Sequence, residues 1–525
     1  MDKITSVTSD FSTTGHVGPA DMAAIAAAGF RSIICNRPDD EEAGQPSAKV
    51  IADAAASTGL GFAHLPVATR DIEPRDARAM REAIDRLPGP ILAFCRTGAR
   101  SQAMHTAAMK EGGPLRSYDV VIVGGGSAGI ACAASLLKRR PGLSLAIVEP
   151  AETHYYQPGW TLVGAGVFTP EATRRPMADV MPAAARWLRQ GAAAFHPDDD
   201  QVELTDGTRV GYRALVVAAG IKLDWDAIPG LREALGQNGV TSNYRFDLAL
   251  YTRDLVRTLA RGTALFTQPP MPIKCAGAPQ KAMYLSCHAW ERDGRLRDID
   301  VEFHTAGAAL FGVADYVPAL MRYIERYAID LQLGSTLVEV DGPGRRAVFC
   351  RNTGQRSENY TRPFDMLHVV PPQVAPDFVA ASPLADQSGF VDVFPATLQH
   401  RTWHNVFALG DVAATSNAKT AAAARKQAPV VAVNLLAMLD GEAPQAAYDG
   451  YGSCPLTVER GKIVLAEFGY GGKLLPSFPA WLLDGRRPTR RAWFLKDRIL
   501  PPIYWHGMLK GREWLARPER LEQPQ

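Results

Sequence analysis

Two stretches of this sequence carry residue types at spacings that do chemistry by themselves. In the first, Cys95 closes a short apolar run, Ile91–Phe94, and opens Cys95-Arg-Thr-Gly-Ala-Arg100-Ser101. A strand ending on a thiol, a glycine-containing loop and a following helix form a cradle of backbone N–H groups for an anion. The same field lowers the thiol pKa and makes Cys95 nucleophilic, with Arg100 beside it. In the second, VVIVGGGSAGIACAASLL sets Gly124, Gly126 and Gly129 in G-x-G-x-x-G spacing between a strand and a helix. The first glycine permits a tight turn, the second lets backbone approach a pyrophosphate, and the third lets helix and strand pack closely. A further strand, Leu145–Val148, ends in Glu149, about 20 residues on, where a carboxylate binds a ribose hydroxyl.

The elements around these stretches belong to an ordinary folded chain. There are 525 residues, 46% apolar and 21% charged, which predicts two to four domains with large cores. A net charge of +2 argues against a nucleic-acid binder that works by bulk charge. No run reaches the roughly 18 uninterrupted apolar residues of a membrane-spanning helix. The start, MDKITSVTSDFS, has no apolar signal-peptide core, so a cytoplasmic start is expected. The 7 cysteines are odd in number and thinly spread, without paired C-x2-C knuckles. Neither a disulfide framework nor a metal site is expected, and a reducing compartment fits. Cys35, Cys132 and Cys287 fall in apolar runs and read as core.

Three regions separate by pattern, and the predicted fold class is α/β. Residues 1–112 alternate helix-like and strand-like runs, with a helix over Ala20–Gly29 and strands at Arg31–Cys35 and Ile91–Phe94. The turn-rich Glu111–Ser117 is the expected linker. Residues 117–477 alternate strands and helices in the manner of a doubly wound protein. Residues 478–525 form a tail rich in Trp, Pro and Arg.

RALVVAAG, ending at Gly220, and NVFALGD, containing Gly410 and Asp411, resemble the two later FAD-contact segments of flavoproteins with two dinucleotide-binding domains. A nicotinamide-using member carries a second glycine fingerprint in mid-chain. Here the corresponding strand, Ala264–Phe266, runs into TQPPMPIKCAGAPQK instead, which predicts an electron donor other than NAD(P)H. HYYQPGWTLVGAG, PIKCAGAPQKAMYL, MLHVVPP, NAKTAAA and SCPL are together similar to the sulfide:quinone oxidoreductase family, in the branch that includes the mitochondrial enzyme, over about residues 117–516. The resemblance implies that sulfide is oxidised to a protein persulfide beside FAD and that electrons pass to a membrane quinone. The sulfane sulfur then leaves on a small acceptor such as sulfite, glutathione or cyanide. It places the first redox cysteine at Cys275, which Lys274 and Lys281 flank; nearby positive charge favours a thiolate. It implies cofactor contacts at Ser127, Ala128, Glu149, Gln157, Lys281, Asp386, Gln399, Asp411 and Lys419, the last lying near the flavin pyrimidine ring and steadying the reduced, anionic flavin.

The sequence departs from that pattern at one point. The family's second redox cysteine is expected after Gly410-Asp411, where Val412 stands. Three accounts are open: Cys454 or Cys350 resolves the persulfide, Cys275 works alone, or the chemistry has drifted to a related thiol oxidation.

The spacing after Cys95 is C-x4-R, one residue shorter than the C-x5-R of tyrosine phosphatases, and resembles the loop of rhodanese-like sulfurtransferases. Residues 3–112 also resemble the phosphatase-like sulfurtransferase family found fused to persulfide dioxygenases of metallo-β-lactamase type. A sulfur carrier, a phosphatase and a silent domain are the three readings; the first makes Cys95 a relay for sulfur released at Cys275. The tail mixes Trp, Phe, Leu and Ile with Arg and Lys, the make-up of segments that lie in a membrane surface, or packs on its own domain. A peripheral, monotopic protein on the cytoplasmic side of the inner membrane is expected, with Phe494 and Tyr504 as quinone contacts. The rival functions are a redox-inactive FAD-binding sulfur carrier or sensor and a type II NADH:quinone dehydrogenase.

Overall fold

A computed structural model describes residues 3–8, 10–110, 116–352 and 356–521. The linker expected at Glu111–Ser117 has its residues 111–115 outside that set. The chain divides into two compact units: Met1–Val121 with Ser144–Pro150 and Ala185–Leu215, and Ile122–Leu143 with Ala151–Ala184 and Val216–Gln525.

The first unit begins with strands β1 (Thr5–Ser6), β2 (Phe11–Thr14), β3 (Ser32–Cys35), β4 (Gly61–His64) and β5 (Ile91–Phe94), in the order β1-β2-β5-β3-β4. All neighbours run parallel except β1 and β2. The central β5 is buried along its whole length. Its residues alternate between faces, as a strand requires: Ile91 and Ala93 join Phe11, Met80 and Met104, while Leu92 and Phe94 join Ile25, Ile33 and Ile51. Helix α1 (Met22–Ala27) is shorter than the expected Ala20–Gly29, because Pro19–Asp21 form a 3-10 turn and Gly29 takes φ +91°. Helix α2 (Ala48–Ser57) is capped by the Ser47 side chain, and α3 (Pro74–Arg86) opens on proline. Helix α4 (Ala99–Lys110) starts four residues after Cys95.

A second sheet of this unit holds β6 (Arg116–Val123) and β7 (Leu145–Val148), in the order 186–188, β7, β6, 209–217, 201–204, 192–196. Asp10 ties it to the first sheet. Its carboxylate pairs with Arg116 at 3.4 Å and with Arg186, which also donates to the Gly89 carbonyl at 3.0 Å.

The second unit takes over inside β6. Its first helix, α5 (Ser127–Arg139), follows the glycine loop. A five-stranded parallel sheet, in the order 240–241, 366–368, β8 (Gly262–Gln268), β9 (Ile299–Thr305), 330–333, forms the second dinucleotide-type core. Helix α6 (Ala278–Arg292) packs on it with the hairpin of β10 (Gly452–Glu459) and β11 (Lys462–Phe468). No helix among the described residues is long and apolar enough to cross a membrane.

Candidate active site

The loop between β8 and α6 delivers Cys275 to a point three residues ahead of a helix N-terminus, where the dipole favours an anion. The residue takes φ +50°, a strained conformation for a side chain with a Cβ, which the surrounding hydrogen bonds enforce. Cys275 N–H donates to the Lys419 carbonyl at 2.8 Å, and its own carbonyl accepts from Ala278 N–H at 2.7 Å and the Tyr244 hydroxyl at 3.2 Å. Strand β10 brings Cys454 against it, with the two sulfurs 3.5 Å apart. Gly277 makes this approach possible, because a Cβ there would stand 2.6 Å from the Cys454 sulfur. Cys350, the other candidate partner, lies in the separate sheet 335–363 between Thr336 and Asn359. Val412 is an ordinary buried apolar residue.

Three lysines charge this pair. Lys281, buried in the first turn of α6, donates to the Cys275 sulfur at 3.1 Å. The contact with Cys454 and the Lys281 charge hold the Cys275 thiol well below its usual range, against the cost of burial. Cys454 moves the opposite way, well up, because its neighbour already carries the negative charge. The pair thus rests as a Cys275 thiolate accepting from a Cys454 thiol. Lys274 donates to the Gln157 side-chain oxygen at 2.7 Å and is pushed down by burial. Lys496 comes from the C-terminal tail, fully buried, and donates to the Pro158 carbonyl at 2.9 Å. Burial first, and then the Lys281 ammonium, push it down to about 7. Sequence reasoning missed Lys496. Its signal was one charge among the clustered Arg and Lys of the tail, which read equally well as membrane-surface charges.

The glycine loop has the shape a pyrophosphate requires. Gly124 takes φ +109°, and a Cβ there would lie 2.4 Å from the Ala218 carbonyl. A Cβ on Gly129 would lie 1.9 Å from the Gly124 carbonyl, so helix and strand touch. Gly126, by contrast, has nothing within 4 Å of a Cβ, which leaves open space at the N-terminus of α5. These positions fit FAD, with Ser127 and Ala128 opening the helix. Gly410 abuts this helix, where its Cβ would meet that of Ala128 at 2.9 Å, and the adjoining Asp411 carboxyl is raised by burial. Lys419 donates to the Asp411 and Ala413 carbonyls at 2.7 and 3.0 Å, and the segment holding it is bridged to Lys274. Gly220 takes φ +74° with open space beside it. Asp386 accepts from Ser388 through one carboxylate oxygen, and Gln399 donates to the His404 carbonyl. Glu149 follows β7 in the first unit, where its carbonyl accepts from the Trp187 indole.

Cys95 occupies the other centre, buried at the end of β5. Burial opposes its ionisation. The backbone N–H groups of Ser101, Thr97 and Arg100 and the Ser101 hydroxyl outweigh it, and the thiol is lowered. Gly98 N–H lies 3.1 Å from the sulfur, and this glycine takes φ +84° beneath the Thr14 carbonyl. Arg100 donates to the Val67 carbonyl at 2.6 Å and pairs with Glu41 at 2.8 Å, which Arg37 also holds at 2.9 Å. Among the described residues no cluster could hold a metal ion. Cys35, Cys132 and Cys287 are buried and raised by burial.

Comparisons with known proteins divide along the same lines. Residues 3–112 match the phosphatase-like domain of the beta-lactamase hydrolase-like protein family. Residues 118–265 match the pyridine nucleotide-disulphide oxidoreductase family. A mitochondrial sulfide:quinone oxidoreductase of Dictyostelium discoideum is 38% identical over 446 residues, covering 84% of this chain and 95% of that one. A beta-lactamase hydrolase-like protein of Agrobacterium fabrum is 33% identical over 101 residues, 19% of this chain and 23% of that one. The solved sulfide:quinone oxidoreductase of Aquifex aeolicus shares the fold, with a TM-score of 0.65 over 77% of this chain and 97% of that one, at 19% identity.

Proposed function

This chain belongs to the sulfide:quinone oxidoreductase family, and we propose that Cys275 and Cys454 are the thiol pair at which it turns sulfide into sulfane sulfur. The enzyme is an FAD flavoprotein that oxidises sulfide with quinone as the electron acceptor. One observation carries the residue assignment: a thiolate and a thiol held 3.5 Å apart beside a buried lysine. Sulfide sulfur bonds to the Cys275 sulfur, and one proton and an electron pair leave as that bond forms. FAD, when bound, would supply the two-electron acceptor between this thiol pair and quinone. Lys281 keeps Cys275 nucleophilic and stabilises the anionic outer sulfur of its persulfide. Cys454, a proton donor at rest, becomes the second thiol over which the sulfane sulfur is shared. Lys496, poised near neutrality, takes or gives a proton at the same site.

The fused domain supports a relay. Cys95, in a cradle of backbone N–H groups, receives the outer sulfur and passes it to a small acceptor such as glutathione, sulfite or cyanide. The tail supports a peripheral seat on the membrane, on the cytoplasmic side of the inner membrane. Trp481, Phe494, Trp514 and Leu515 are each more than half exposed, among clustered Arg and Lys.

Anoxic sulfide added to the purified holoenzyme is expected to bleach the flavin absorbance, and a soluble quinone to restore it. Mass spectrometry of the sulfide-treated protein is expected to find added sulfur on Cys275 or Cys454, then on Cys95. Bleaching by NADH instead of sulfide would point to the dehydrogenase class, and no bleaching at all to a sulfur carrier.

A further inference from the structure

The C-terminal tail reaches the start of α5 through Tyr504. The Tyr504 hydroxyl lies 2.6 Å from the Ser127 hydroxyl and 2.6 Å from His154 Nε2. Tyr504 and His154 are almost fully buried, and Ser127 is the first residue of α5, directly after Gly126.

The protons along these contacts can be ordered. Burial pushes His154 down to about 4, so its ring is neutral at physiological pH. The ring also bonds the Gly125 backbone in the sense that favours a ring N–H, so one nitrogen donates to the Gly125 carbonyl. Nε2 is then the acceptor, and the Tyr504 hydroxyl donates to it. The tyrosine oxygen in turn accepts from the Ser127 hydroxyl. The chain of hydrogen bonds therefore starts at Ser127 and returns to Gly125. It spans Gly126, the loop glycine whose open side faces no protein atom.

Tyr504 is itself well held. Its ring packs 4.8 Å from that of Tyr156 and 5.0 Å from that of Trp505, which carries the Arg175 guanidinium at 4.7 Å. Farther along the tail, Glu513 accepts from Ser135 and Arg139 of α5, both at 2.7 Å. One segment thus grips the helix and the loop from which it starts.

We propose that Tyr504 is a positioning residue for the flavin, stapling Gly125 and Ser127 on either side of Gly126 so that FAD is retained only while the C-terminal segment is docked. The proposal rests on the reading that this loop holds the pyrophosphate of FAD. It does not depend on the thiol chemistry.

The test is FAD release from the purified holoenzyme, followed as free-flavin fluorescence, with no sulfide or quinone present. Tyr504→Phe leaves His154 Nε2 buried and unpaired and frees the Ser127 hydroxyl. Release at least about tenfold faster than in the parent is expected from the loss of these two buried hydrogen bonds. Ser127→Ala cuts the same chain at its other end. If Tyr504 acts through Ser127, the double variant releases FAD no faster than the faster single variant. Unchanged or slower release in Tyr504→Phe overturns the proposal. So do two effects that multiply in the double variant, because a tyrosine that only stabilises the fold acts independently of Ser127.

Discussion

Two thiols of this chain, Cys95 and Cys275, are made acidic by different means. Around Cys95 the donors are mostly backbone N–H groups, joined by the Ser101 hydroxyl and the Arg100 guanidinium, all within six residues of the sulfur. Around Cys275 they are side chains, Lys281 and Cys454 from a strand 179 residues later, and the Lys496 charge from the tail adds to them. Backbone N–H groups do not titrate and arginine stays charged, so the Cys95 cradle keeps its charge across pH. Lysine and thiol donors titrate and change with the redox state of the pair. That suits Cys275 to a reaction that moves protons and electrons at every turn, and Cys95 to carrying a sulfur atom unchanged.

The largest expected contrast comes from the thiols themselves. Cys275→Ser should slow sulfide-dependent flavin bleaching in stopped flow by roughly 10³-fold or more, as loss of a nucleophile does. Cys95→Ser should leave that first bleaching step intact and lower only steady-state turnover with a sulfur acceptor. Equal effects on bleaching would erase the distinction between the centres. Next in size is Cys454→Ala, which removes the thiol that donates to the Cys275 thiolate. A hydrogen bond to a charged group contributes about 1.5–3 kcal/mol, so Cys275 should titrate at higher pH and bleach roughly 10–100-fold more slowly at neutral pH. Iodoacetamide alkylation rates across pH measure the shift at Cys275. The same series should be unchanged at Cys95.

The smallest effect is the one with a pH signature. Lys496, near 7, is an ammonium below that pH and neutral above it. Below pH 7 its charge adds to that of Lys281 and keeps Cys275 ionised, which extends the acid limb of the bleaching rate. In Lys496→Met the acid limb should move to higher pH by a few tenths of a unit to one unit, roughly 1 kcal/mol of charge interaction, and the inflection near 7 should vanish. An unaltered pH profile would remove Lys496 from the site.

Where the sequence succeeded, the relevant atoms lie close together along the chain. Strand β5, the Cys95 loop and α4 form one contiguous stretch, and so do β6, the glycine loop and α5. In each, alternation of apolar residues and the placement of glycines dictate backbone geometry, and the backbone supplies the donors. Cys275 was reached through resemblance and its flanking lysines. For the second thiol, spacing left Cys454 and Cys350 on the same footing, and only the hairpin of β10 and β11 separates them. Of the two expected quinone contacts, Tyr504 is buried, with its hydroxyl on Ser127 and His154, and Phe494 is exposed.

The sequence alone thus determined the α/β architecture, the dinucleotide cradle and the thiol loop of the first domain, because backbone conformation there depends on neighbours a few residues away. Tertiary structure alone decided which sulfur faces Cys275, that a tail lysine is buried beside it, and that a tail tyrosine closes on the flavin loop. Those pairings join residues from 179 to 377 positions apart. Their proton affinities come from burial and from facing charges, which exist only once the chain has packed.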